Sequence, residues 1–168
     1  MIGSGQNMEK GSNSGRYGGT DYELMGLQME SLMEQDRNWL PVLSNASAVL
    51  MTSMESVNWA GFYILRADRL VLGPFQGRPA CIHIEIGRGV CGTAAQRRKT
   101  LVVEDVHRFP GHIACDSASR SEIVVPIFDG ERVAGVLDID SPEEGRFSDR
   151  DREGLEGFVR ALEAHIEW

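Results

Sequence analysis

Two hydrophobic periods alternate along this chain. From Asp21, YELMGLQMESLMEQ repeats at helical spacing, and Leu24, Leu27, Leu32 and the methionines mark an apolar stripe. NWLPVLSNASAVLMTSM predicts a second helix, with Asn38 as its cap and Pro41 in its first turn. Met25, Met29, Met33, Met51 and Met54 then read as packing residues. The period changes at Trp59. WAGFYIL and RLVLGPF are strand-length apolar runs separated by Ala67-Asp68, which predicts a hairpin. CIHIEI alternates as a further short strand, GRGVCGTAAQRRKT enters a helix through glycines, and TLVVEDV is another short strand. EIVVPIF and RVAGVLDID predict a hairpin closed at Asp129-Gly130. The last segment, SDRDREGLEGFVRALEAHIEW, is an amphipathic helix capped by Ser148, burying Leu155, Phe158, Val159, Leu162 and Ile166. Helices at both ends of a hairpin-connected sheet predict an α+β fold with a central antiparallel sheet flanked by helices.

Ahead of this pattern, residues 1–20 are rich in Gly, Ser and Asn and almost free of large apolar residues. They cannot bury enough surface to offset the entropy of ordering, so they are expected to form a flexible tail before a single domain over 21–168. The 168 residues are 42% hydrophobic, enough for one core, and their formal charge of -8 argues against nucleic acid and anionic membrane surfaces. The N-terminus lacks the apolar segment of a signal peptide, and an odd three cysteines fit a reducing, cytoplasmic setting.

The chemistry-bearing residues fall into three groups. Cys81 begins a strand, Cys91 sits between glycines at a helix start, and Cys115 lies in the loop GHIACDSASR. Each is either a small buried hydrophobe or a functional thiol. A helix N-terminus lowers a thiol's pKa, and His107 or His112 would favour a thiolate at Cys115. No CxxC pair supports a structural zinc site, and no metal is expected. The second group is acidic. Asp138 and Asp140 are two apart on one strand and share a face, while Glu122 opens the strand paired with it. Clustered beside apolar runs, such carboxylates raise one another's pKa and one stays protonated; a solvated sheet edge is the alternative. The third group is Trp59 and Tyr63, four apart on one strand face, which are either core or the wall of an apolar pocket. GRGVCG lacks the Walker lysine, and no G-x-S-x-G elbow is present.

In order, NWAGFY, LVLGPFQG, ACIHIEIGRGVCGTA, VEDVH, GHIACDSASRSEIVVP, GVLDIDS and FSD closely resemble the free methionine-(R)-sulfoxide reductases, enzymes built on a GAF domain. The resemblance runs from about Leu24 to the C-terminus. It implies an oxidoreductase that reduces free L-methionine-(R)-sulfoxide to L-methionine by thiol, sulfenic acid and disulfide chemistry, as a response to oxidative stress. It further implies Cys115 as nucleophile, Cys81 as the main resolving cysteine and Cys91 as the third. Trp59 and Tyr63 would form the aromatic wall, and Glu122, Asp138 and Asp140 the acidic substrate-binding group. Thioredoxin would be the reductant, no cofactor would be needed, and a homodimer is the family-level expectation. Backbone N–H groups of the Gly111–Asp116 loop would suit the substrate's carboxylate. The competing readings are a non-catalytic GAF sensor, against which the sequence ends at Trp168 without an output domain, and a redox sensor that does not turn over.

Overall fold

The computed structural model describes residues 19–112 and 116–168, so Cys115 and most of the expected tail lie outside the described residues. The element order is α1 (Tyr22–Met33), α2 (Trp39–Ser53), β1 (Trp59–Arg66), β2 (Arg69–Gln76), β3 (His83–Glu85), α3 (Gly89–Arg97), β4 (Leu101–Val103), β5 (Ser121–Asp129), β6 (Arg132–Ser141) and α4 (Asp149–Glu163). The strands form one antiparallel sheet in the order β3-β2-β1-β6-β5-β4.

Strand parity divides the core. Ala60, Phe62 and Ile64 of β1, Ile123, Val125 and Ile127 of β5, and Leu137 and Ile139 of β6 face α1, α2 and α4. The alternate positions Trp59, Tyr63, Val124 and Val136 face α3 and the loops around it. Three helices therefore cover one face of the sheet and α3, carrying Cys91, covers the other.

The helix caps follow the sequence: Asn38 accepts from Leu40 N, and Ser148 forms a reciprocal capping box with Asp151. The stripe on α1 is shifted from the expected one. Met25, Met29 and Met33, at four-residue spacing, are buried, whereas Leu24 and Leu27 are 52% and 56% exposed. Packing of α1 against α4 and α2 buries the methionine row, whose unbranched side chains adapt readily to their neighbours. Leu32 and Met51 pack only partly against the core. Thr20 belongs to the folded body: it is buried, and its carbonyl accepts from Arg150.

Two further boundaries differ. CIHIEI contributes only His83–Glu85, so Cys81 precedes the strand rather than beginning it. The β5–β6 turn is Gly130-Glu131, because Asp129 pairs with Arg132. Gly130 takes φ 60°, the conformation that a II′-type hairpin requires at its first central residue. Ala67 holds a comparable φ of 54° in the β1–β2 turn.

Candidate active site

Register on the α3 side of the sheet assembles the site. Trp59 pairs with Asp140, and Asp140 pairs with Glu122, so three strands contribute one row of side chains. In the next row Gly61 pairs with Asp138, and Asp138 with Val124. Gly61 has no side chain to cover Asp138, and a Cβ there would overlap Phe75. The cavity left between α3 and the sheet is lined by Trp59, Tyr63, Cys91, Glu122, Asp138 and Asp140, with Arg88, His112, Asp116 and Ser119 joining its wall. The five aromatic and acidic residues singled out in the sequence thus meet in one place. Cys91 is there with them.

The aromatic wall is fixed at both ends. Trp59 stacks on Tyr63 with ring centroids 6.1 Å apart and on Phe75 at 5.2 Å. Its indole N–H donates to the Arg78 carbonyl at 3.0 Å, and the Tyr63 hydroxyl donates to the Cys81 carbonyl at 2.9 Å. With their polar ends occupied by backbone, the rings turn apolar surface to the cavity. Gly61→Ala is expected to force Phe75 and the Trp59 ring aside, costing about 1–3 kcal/mol in urea unfolding. Unchanged stability would show that the strand absorbs a methyl group without moving the wall.

Burial governs the titrating groups. Glu122 and Asp138 are 5% and 7% exposed, and their carboxyls lie well above the usual range. Loss of hydration is the main cause, and their neighbours' negative charge adds to it: Asp140 acts on Glu122, and Glu122 on Asp138. Asp140 is raised for the same reason, with Asp138 and then Asp116 contributing. Burial and mutual charge thus shift this cluster toward its protonated forms, and it is no solvated edge.

Cys91 departs from its expected behaviour. It occupies the first turn of α3, yet burial, followed by the charges of Asp138 and Glu122, pushes its thiol well above the ordinary value. A helix terminus contributes a fractional charge, which does not outweigh desolvation beside carboxylates. Its Sγ lies 3.9 Å from Glu122 Oε1. Cys91 is a free thiol, whereas Cys81 is disulfide-bonded. His112 departs similarly. Burial lowers its pKa, so it stands as a neutral imidazole, its Nε2 3.6 Å from Glu122 Oε2, instead of a thiolate-stabilising cation. His107 is exposed and is not part of the cavity wall.

Sequence reasoning missed the hinge of polar contacts at the cavity rim. Asn58 Nδ2 donates to Asp116 Oδ2 and to Ser119 Oγ, each at 3.2 Å, tying the loop before β5 to the start of β1. Asp116 Oδ1 accepts from Ala118 N at 2.9 Å. The only sequence signal was Asn58 standing directly before Trp59, and nothing local indicates a partner about sixty residues away.

Residues 25–166 match the model of the GAF domain. The chain is also 51% identical, over 84% of its length and 86% of the relative's, to the free methionine-R-sulfoxide reductase of Escherichia coli K12. It belongs to the GAF-domain free methionine-R-sulfoxide reductases. The Saccharomyces cerevisiae free methionine-R-sulfoxide reductase is 44% identical over 83% of this chain and 82% of that one. Among solved structures, the free methionine-R-sulfoxide reductase of Neisseria meningitidis in complex with its substrate superposes with a TM-score of 0.82 at 44% identity, covering 86% and 87% of the two chains. The single GAF domain, with its six-stranded antiparallel sheet and four helices, is the α+β architecture expected. Among the described residues, no helix is long and apolar enough to cross a membrane.

Proposed function

We propose that this GAF-domain reductase reduces free L-methionine-(R)-sulfoxide at the cavity between α3 and the sheet, with Cys115 as nucleophile. The observation that carries this reading is the meeting of buried carboxyls, raised well above their usual range, with a stacked aromatic wall in one cavity. The wall suits the S-methyl end of the substrate, and the carboxyls suit its sulfoxide oxygen and ammonium group.

The chemistry requires both halves. Attack of the Cys115 sulfur on the sulfoxide sulfur is feasible only if the oxygen is protonated as the S–O bond weakens. A carboxyl of the Glu122–Asp138 pair supplies that proton. The oxygen then passes from the substrate sulfur to Cys115 while the sulfur–sulfur bond of the adduct breaks, so methionine leaves with that electron pair and Cys115 becomes a sulfenic acid. The Cys81 thiol condenses with it, releasing water and forming a disulfide. Thioredoxin then reduces the disulfide, giving up two electrons and two protons and becoming oxidised itself. Cys91 serves as a third thiol, and its raised pKa suits a reserve role better than that of first nucleophile. The Asp116 end of the loop before β5 offers backbone N–H groups to the substrate carboxylate; residues 113–115 of that loop lie outside the described residues. A cytoplasmic setting and a homodimer complete the proposal.

The test is incubation with racemic free methionine sulfoxide, thioredoxin, its reductase and NADPH. NADPH consumption is expected to stop when about half the racemate is gone, because the pocket distinguishes the epimers. No consumption with thioredoxin or with a small dithiol would leave a sensor as the better reading. The division of labour among thiols has its own check. In a single turnover without reductant, Cys81→Ser is expected to form one methionine per enzyme and then stall, since attack precedes resolution. Sustained turnover of this variant with thioredoxin would remove Cys81 from the resolving step.

A further inference from the structure

The cavity floor carries a donor set that sulfoxide reduction does not need as a set. Cys91 Sγ and one carboxylate oxygen each of Glu122 and Asp138 lie within 4.8 Å of one another. Cys91 Sγ stands 3.9 Å from Glu122 Oε1, and His112 Nε2 stands 3.6 Å from Glu122 Oε2. A second observation points to a ligand here. Asp138 Oδ1 is buried without a hydrogen-bond partner, on a residue only 7% exposed that lines the cavity. Leaving such an atom unsatisfied forfeits hydration without return, which a bound group would recover.

We propose that Cys91, Glu122 and Asp138, with His112 as fourth donor, bind a single thiophilic divalent cation of the zinc class when substrate is absent. The donor types decide the class. One sulfur, one imidazole nitrogen and two carboxylate oxygens match four-coordinate zinc, whereas calcium and magnesium prefer six or more oxygens. Donors on a tetrahedral zinc stand about 3.3–3.8 Å apart, given its usual bond lengths. The Cys91–Glu122 separation therefore needs to close by only a few tenths of an ångström, whereas His112, which approaches the other Glu122 oxygen, has to swing in to reach the same cation. The substrate's ammonium would satisfy the carboxyls but offers nothing to the thiol.

Binding involves no electron transfer. The cation replaces the protons of the Cys91 thiol and the two carboxyls, which pass to solvent. One consequence rests on the reductase reading. A metal held by Glu122 and Asp138 removes the acid that protonates the sulfoxide oxygen, so zinc would act as a reversible inhibitor competing with substrate.

The site itself is tested without turnover. The oxidised protein, with Cys81 in its disulfide and Cys91 free, is titrated with Co²⁺ and read by the thiolate-to-cobalt absorption band. The expected result is a band that saturates at one equivalent and is removed by one equivalent of Zn²⁺. Cys91→Ser should abolish the band, and the near-isosteric Asp138→Asn and the His112→Ala variant should each weaken zinc by about tenfold or more. Metal-free circular dichroism verifies that each variant is folded. Absence of the band in the wild type, its persistence in Cys91→Ser, or unchanged zinc affinity in Asp138→Asn and His112→Ala would overturn the proposal. Because absorbance is the readout, either result leaves the reductase assay to be judged separately.

Discussion

Replacing Cys115 with serine is expected to reduce methionine formation to background, a loss on the order of 10⁴-fold or more, as for other covalent nucleophiles. The reason is chemical. A serine hydroxyl is a far weaker nucleophile toward a sulfoxide sulfur than a thiolate, and it needs a dedicated base to approach thiolate reactivity. The measurement is a single-turnover assay without reductant that scores methionine formed and free thiols lost. Wild type should lose two thiols for each methionine, one from Cys115 and one from the resolving cysteine. Full single-turnover activity in Cys115→Ser would transfer the nucleophile's role to another thiol and sink the mechanism.

Glu122→Gln is expected to lower kcat/KM by about 10²–10³-fold, the usual contribution of a positioned general acid, while raising stability at alkaline pH. Its carboxyl is ordinarily near 4.5 and is lifted well above that in the fold, first by burial and then by the Asp140 charge. Between those two values the unfolded chain releases the proton and the folded chain keeps it. Stability from this group is therefore complete below 4.5 and is lost as pH rises through the folded value. Glutamine cannot ionise, so the variant should gain on wild type in thermal melts between pH 5 and pH 8, with the larger margin at pH 8. The wild-type chemical step should slow as pH rises through the folded value and the acid is lost. A variant that keeps full activity would assign proton transfer to Asp138 alone. One that gains no stability at pH 8 would show that Glu122 is ionised in the fold.

The sequence by itself determined which residues share a face. Alternation put Trp59 and Tyr63 on one face of β1 and Asp138 and Asp140 on one face of β6, because side-chain direction in a strand depends on parity, and strand register then set both pairs and Glu122 on the same side of the sheet. It also determined the helix caps at Asn38 and Ser148, whose side chains act within three residues of themselves. The motif resemblance spanning almost the whole domain named the family for the same reason: short segments in order survive without any knowledge of packing.

Tertiary structure decided everything that depends on desolvation or on distant partners. The first turn of α3 reads locally as a place where a thiol is acidified, yet Cys91 is driven the other way by burial against Asp138 and Glu122. His112 reads as a cation and stands as a neutral imidazole because its site is partly dry. Two faces of α1 are hydrophobic, and only docking on α4 chose the methionine row over Leu24 and Leu27. Asn58 gained its partners Asp116 and Ser119 through chain reversal, which no local pattern encodes. Parity and capping are set by bonds near in the chain, but the charge state of a buried group is set by how much water the whole fold excludes from it.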